Sequence, residues 1–144
     1  MFYVEAKINK GIWVSDGTEE GTTVFHNMTA DTHRSLHQII ATQNYLYIFT
    51  QNSITNELEL WQNDGTPEGI YLMGNYHYSN STDNFSEAQV INNSLWFLAR
   101  PDNGNLGLFC LPDNSDEPIL MAFNKNVSLT RLYAFDGNST IYLR

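Results

Sequence analysis

One cysteine, seven basic residues and no apolar run long enough to cross a bilayer set the first limits on this 144-residue chain. A lone thiol, Cys110, closes no internal disulfide and leaves no cysteine pair for a zinc site. Set among Leu108, Phe109 and Leu111, it reads as a small apolar filler rather than a reactive group. Sixteen acidic residues against seven basic ones leave a formal charge of −9, which argues against a nucleic-acid partner, because phosphate backbones are bound by clustered Lys and Arg. The carboxylates are scattered rather than blocked, as on a solvated surface. A spanning helix needs about 18 or more consecutive apolar residues, so no membrane insertion is expected of this segment. The opening Met1-Phe2-Tyr3-Val4-Glu5-Ala6 lacks the charged start, apolar run and cleavage site of a secretory signal, and reads as part of a strand. Helical periodicity is nowhere sustained for three turns, so almost no helix is expected. Signatures of catalysis are missing too: there is no G-x-S-x-G elbow, no P-loop and no Rossmann glycine pattern.

What the chain does have is apolar and aromatic material, 42% and 13% of its residues, which is ample for a core. It comes in short segments about ten residues apart, rich in aromatic and β-branched residues and separated by Gly, Asn, Asp and Pro, the rhythm of an all-β fold. Four segment types recur in the same order. The first holds Ser35 to Ile40, Ser86 to Ile91 and Ser128 to Tyr133, with Gln38, Gln89 and Arg131 at matching places. The second holds Tyr45 to Phe49, Ser94 to Leu98 and Thr140 to Leu143. The third carries Trp13, Trp61 and Phe109, and the fourth Thr22 to Phe25, Ile70 to Met73 and Pro118 to Met121.

Trp13, Trp61 and Phe109 stand 48 residues apart. A fixed period of 20 to 50 residues marks solenoids, propellers and arrays. Four short antiparallel strands per period is the blade of a β-propeller, whereas a solenoid needs shorter repeats and a sandwich has no reason to repeat. The expected fold is therefore a partial β-propeller of four-stranded antiparallel blades. Residues 1–33 form a partial blade (strands 2 to 4), 34–84 and 85–127 complete blades, and 128–144 the first two strands of another. Such an array exposes apolar blade faces. The expectation is a piece of a longer protein, or a protomer that completes its ring by oligomerising, with other blades as its nearest partners.

The third and fourth strands are joined by a turn in which each residue type has local work to do. Asp16 and Asp64 are placed to accept from backbone N–H groups further along, Gly17 and Gly65 to supply a positive φ, and Thr18 and Thr66 to bond back to the loop. Trp13 and Trp61, three residues earlier, suit a large side chain wedged between blade sheets. The full stretches run from Gly11 through Thr22 (GIWVSDGTEEGT) and from Glu59 through Gly69 (ELWQNDGTPEG). They resemble the ELWxxDGT repeat, a family found in tandem in large, mostly bacterial, exported proteins. The likeness extends to about residue 124 and is strong in two copies. The third copy, Leu108 to Glu117, has lost Asp-Gly-Thr, and the first has Gly11-Ile12 where the consensus has Glu-Leu. The resemblance implies a propeller-like scaffold in an extracellular or cell-surface protein. It carries over no catalytic residue, and Trp13, Asp16, Gly17, Thr18, Trp61, Asp64, Gly65 and Thr66 transfer as structural positions.

No enzyme is expected, and no cofactor. Calcium is the nearest candidate, since Asp113-Asn114-Ser115-Asp116-Glu117 offers oxygens at alternate positions, but Pro118 stands where a cation loop needs Gly. His33 and His37 are four apart but lie in a loop and a strand, and no third zinc ligand accompanies them. The better lead is Tyr76, His77 and Tyr78 with Asn75, read as a polar aromatic loop between blades of the kind that packs on a protein or stacks on a glycan. Six N-x-S/T sequons, at Asn27, Asn80, Asn84, Asn92, Asn126 and Asn138, mark a polar surface open to glycosylation in a eukaryotic secretory route. The functional expectation is a noncatalytic scaffold or binding surface for a protein or glycan. The alternative is a propeller domain of a hydrolase, lyase or membrane sensor whose decisive residues lie in other blades.

Overall fold

A computed structural model describes residues 2–5, 11–27, 33–66, 68–77, 86–101, 106–123, 132–135 and 138–143. The protein is all-β, with no helix among the described residues. The described strands form four antiparallel sheets. The first contains β1 (Phe2–Glu5), β2 (Gly11–Ser15) and β3 (Thr23–Asn27). The second contains β4 (Arg34–Ala41), β5 (Leu46–Asn52), β6 (Glu57–Asn63) and β7 (Ile70–His77). The third contains β8 (Ser86–Ile91), β9 (Ser94–Ala99), β10 (Gly107–Pro112) and β11 (Ile119–Phe123), and the fourth β12 (Leu132–Phe135) and β13 (Asn138–Leu143). Each is a meander in which consecutive strands are neighbours.

The turns obey local chemistry. Ile91 pairs with Ser94, so Asn92 and Asn93 alone join β8 to β9, and both have positive φ, 50° and 57°. A two-residue hairpin with that backbone is the mirror-image turn that matches strand twist, and asparagine tolerates it better than other side chains.

The second sheet is apolar on both faces, which is why β5 and β6 are buried along most of their length instead of alternating. On one face Leu46 and Ile48 meet Ile12 and Val14 of the first sheet, joined by Leu36, Ile39, Trp61 and Ile70. On the other, Tyr47, Phe49, Leu58, Leu60 and Tyr76 meet Ala88, Leu95, Phe97, Ala99, Phe109 and Leu111 of the third sheet. The centre of that interface is aromatic. Phe97 and Phe109 stack at 5.2 Å, and Tyr76 stands edge-on to both at 5.3 and 5.0 Å. Such pairs add about 0.5–1.5 kcal/mol each beyond their burial. Leu98 and Leu108 turn the opposite way, with Trp96 against them.

Three of the sheets carry an irregularity between their third and fourth strand types. Ile12 pairs with His26 but Trp13 with Val24; Leu60 pairs with Gly74 but Trp61 with Leu72; Leu108 pairs with Ala122 but Phe109 with Leu120. One residue is left over on the outer strand each time, at positions 25, 73 and 121. Each is a β-bulge, which bends and twists an edge strand. The three bulges are 48 residues apart and sit beside Trp13, Trp61 and Phe109. The first strands of successive sheets also lie against one another, β4 beside β8 and β8 beside β12.

Candidate functional site

The Asp-Gly-Thr turns are built alike. Asp16 Oδ1 accepts from the Thr18 N–H at 2.9 Å and the Thr18 hydroxyl at 2.8 Å, and Asp64 Oδ1 from the same groups of Thr66 at 2.9 and 2.7 Å. Gly17 and Gly65 have φ of 97° and 95°, the left-handed region open to glycine. The preceding residue supports the turn in each case: Gly17 N–H donates to Ser15 Oγ at 3.1 Å and Gly65 N–H to Asn63 Oδ1 at 2.7 Å. The second glycine of the motif is there for space. A Cβ on Gly21 would stand 2.0 Å from Asp16 Oδ1, and one on Gly69 would stand 1.8 Å from Asp64 Oδ1. Hydrogen bonds from Thr18 hold the Asp16 carboxyl below the usual carboxylate range, and those from Thr66 do the same for Asp64. Asp16 Oδ1 and Asp64 Oδ1 are each engaged within their own turn, as a turn device requires.

The leading Glu of the second copy has a different role. Glu59 is 3% exposed, and its carboxylate accepts from Arg34 Nε at 2.6 Å, a second Arg34 guanidinium nitrogen at 3.0 Å, Thr50 Oγ1 at 2.9 Å and Asn52 Nδ2 at 3.0 Å. This is a two-point Arg–carboxylate pair with its remaining lone pairs satisfied, the arrangement a buried charge needs. Burial pushes the Glu59 carboxyl up, and Arg34, Asn52 and Thr50 together more than reverse it, so it lies below the ordinary range. Trp61 belongs to the same cluster: its indole N–H donates to Thr50 Oγ1 at 3.0 Å, and the Arg34 guanidinium lies 5.4 Å from its ring centre. Trp13 has no such partner, and its indole nitrogen is buried without a hydrogen bond among the described residues. The residues in register with Glu59 in the other copies are Gly11 and Gly107, so this network belongs to the second sheet alone.

Polar groups also tie sheet to sheet. The Gln38 side chain reaches from β4 to the backbone of β8, accepting from Ala88 N–H at 2.7 Å and donating to Ala88 C=O at 3.1 Å. Asp113, one of the oxygens weighed for calcium, accepts from Thr42 and Asn44 in the β4–β5 turn and from Asn93 in the β8–β9 turn. Its carboxylate is thus occupied by bonds from Thr42 and Asn44 of the second sheet and from Asn93 within the third. Among the described residues no group of three His, Cys, Asp or Glu is placed to hold a metal.

The aromatic loop expected around Tyr76 does not form as such. Tyr76 lies in β7, 6% exposed in the core between the second and third sheets, where burial pushes its phenol well above the ordinary range. The reason is register: Tyr76 pairs with Leu58, whose side chain faces the third sheet, and its ring fills the gap against Phe97 and Phe109. It is not available to stack on a ligand. His77 ends the same strand and donates its N–H to Arg100 C=O at 2.8 Å. Tyr78 and Arg131 lie outside the described residues. Gln38 and Tyr76 are each committed to an inter-sheet contact. Cys110 is buried and unpaired, and burial pushes its thiol up.

What sequence reasoning missed are the tasks that cross elements. The Gln38 clamp had a signal in the recurring Ser-x-x-Gln of the first strands, and the Glu59 network had one in the motif's leading Glu. The Asp113 tie had none, because Thr42 and Asn44 lie about seventy positions away in the chain. No protein-family model, curated protein or solved structure matches this chain.

Proposed function

We propose that the chain is a run of β-propeller blades serving as a noncatalytic repeat scaffold or binding surface, for a protein or a glycan, within a larger exported or cell-surface protein. The observation that carries this reading is the bulge repeated at 48-residue intervals, each time beside the large aromatic of the third strand. A sandwich or barrel has no cause to repeat such a defect, whereas wedge-shaped sheets packed around an axis need the same outward bend in every copy. Three further features support it. The first strands succeed one another, as innermost strands do around a channel. The second sheet is buried on both faces. The Trp61 and Phe109 positions each face the preceding sheet.

The scaffold role is supported by the use to which the polar side chains are put. Asp16, Asp64, Glu59, Gln38 and Asp113 hold turns, strands or neighbouring sheets together. The resemblance to the ELWxxDGT repeat stands on the two motif copies, and with it the export and the bacterial setting. Imaging of the full-length gene product by electron microscopy tests the architecture: a ring with a central channel is expected, and a flat two-layer sandwich refutes it. Glycan-array and surface pull-down binding, run beside a panel of hydrolase and lyase substrates, tests the role. Saturable binding without turnover is expected, and turnover above background refutes the noncatalytic reading.

A further inference from the structure

The second sheet carries a polar row at the end where β6 turns into β7. Tyr47 on β5 pairs with Gln62 on β6, and Gln62 with Tyr71 on β7, so the three side chains lie side by side on the face toward the third sheet. Tyr47 and Gln62 are buried, and Gln62 Nε2 donates to the Tyr47 hydroxyl at 3.0 Å. The Tyr71 hydroxyl donates to Gln62 Oε1. Both ends of the Gln62 amide are thus spent on phenols. The third sheet covers Tyr47 but leaves Tyr71 45% exposed, so the Tyr71 ring stands open to solvent while its tip is held in place. Tyr45, half-buried, packs against the same core with its ring 6.3 Å from that of Tyr47. Burial pushes the Tyr71 phenol up, and Tyr45, Asp116 of the turn after β10 and Asp64 are all near enough to push it further. Among the described residues, neither the Tyr45 hydroxyl nor the exposed Asp116 carboxylate has a hydrogen-bond partner.

We propose that this end of the seam between the second and third sheets is a saccharide subsite, with a neutral sugar ring laid on the open face of Tyr71 and its hydroxyls bonded to the Tyr45 hydroxyl and the Asp116 carboxylate. The inference rests on the glycan-binding role proposed above and assigns it to one face. Chemistry selects the occupant. A sugar ring offers an apolar C–H face to an aromatic and a rim of hydroxyls that both donate and accept. An apolar anchor from a protein would instead meet the Gln62 amide and the phenol hydroxyls at its base without satisfying the free groups beside them. The carboxylates of Asp64 and Asp116 repel an acidic sugar and accept from the hydroxyls of a neutral one. The bond from Tyr71 to Gln62 fixes the ring before any ligand arrives, which removes an ordering cost from binding.

Isothermal titration of the chain with neutral hexose and N-acetylhexosamine oligomers, and with uronate oligomers of the same length, tests it. Saturable binding of at least one neutral series is expected, with the uronates about ten-fold weaker or more. Tyr71→Ala lowers affinity for the bound oligomer about ten-fold or more, whereas Tyr71→Phe keeps most of it because the ring remains. Asp116→Asn weakens neutral binding and narrows the gap to the uronates. Ile54→Lys, at an exposed residue of the β5–β6 turn at the other end of the sheet, leaves binding unchanged. Thermal melts identify the variants that fold, and Asp116→Asn with the uronate comparison decides the matter if Tyr71→Ala does not. Saccharide binding indifferent to Tyr71→Ala and Asp116→Asn overturns this site and leaves a glycan-binding surface elsewhere on the chain. Failure to bind any neutral oligomer overturns the site and the glycan role together, and leaves the blade architecture standing.

Discussion

Replacing Arg34 by alanine puts the buried network of the second sheet to a quantitative test. The change leaves the Glu59 carboxylate, 3% exposed, with only Thr50 and Asn52 as donors, and removes the cation that offsets its burial. Breaking a fully buried pair by deleting one partner costs about 3–5 kcal/mol. The Arg34 side chain is 30% exposed, so water takes over part of its role, and a loss of about 2–3 kcal/mol is expected at pH 7. For a chain of this size that corresponds to a fall in melting temperature of roughly 5–10 °C. The pH dependence supplies the sign. In the parent protein the Glu59 carboxyl lies below its unfolded value, so its contribution is present above the ordinary carboxylate range and is lost as the pH falls through the folded value. Without Arg34 the burial of Glu59 is opposed by Asn52 and Thr50 alone, so its folded value rises relative to the parent's and the variant loses less on acidification. Urea denaturation from pH 7 to pH 4 should therefore show the gap between parent and variant narrowing. Arg34→Leu with Glu59→Leu should recover most of the loss, because no buried charge remains to be left unpaired. A single variant within about 0.5 kcal/mol of the parent, the spread expected of an ordinary surface change, with a gap that does not move with pH, would refute the reasoning.

Gly69→Ala should destabilise by about 1–3 kcal/mol, since its Cβ falls on the Asp64 carboxylate, and adding Asp64→Ala should return part of that; chemical denaturation of both variants checks it. Gln38→Ala should lose about 1–3 kcal/mol by leaving the Ala88 N–H and C=O without their partner, with Gln38→Glu intermediate because it keeps the acceptor alone. Phe97→Ala, at the centre of the aromatic cluster, should lose about 3–5 kcal/mol, read as a shift of the urea midpoint with an unchanged slope. Cys110 should resist a thiol reagent in the folded protein and react at once in denaturant, because it is buried with its thiol pushed up; equal rates in both states would contradict its position.

Much of the local structure follows from short-range chemistry and was legible in the chain. Asp16, Gly17 and Thr18, and again Asp64, Gly65 and Thr66, form their turn from groups within a few residues, so the string of letters contains everything that the turn needs. The strands follow from aromatic and β-branched runs between turn residues, and the all-β class follows from their rhythm. The same local reading went astray at Tyr76. Asn75, Tyr76, His77 and Tyr78 look polar and loop-like in sequence, but β7 continues through His77 because its backbone pairs with Glu57 and Leu58, nearly twenty positions earlier.

Taken alone, the sequence determined the all-β class and the chemistry of the Asp-Gly-Thr turn, because each rests on neighbours in the chain. Tertiary structure alone decided which polar side chains would be spent between strands and sheets: Gln38 on Ala88, Asp113 on Thr42 and Asn44, Arg34 on Glu59. It also decided that Tyr76 would be core and that Val24, Leu72 and Leu120 would face outward. The physical reason is that a hydrogen bond or a buried face is a relation between residues far apart in the chain, fixed only when whole sheets stack and each buried donor must find an acceptor.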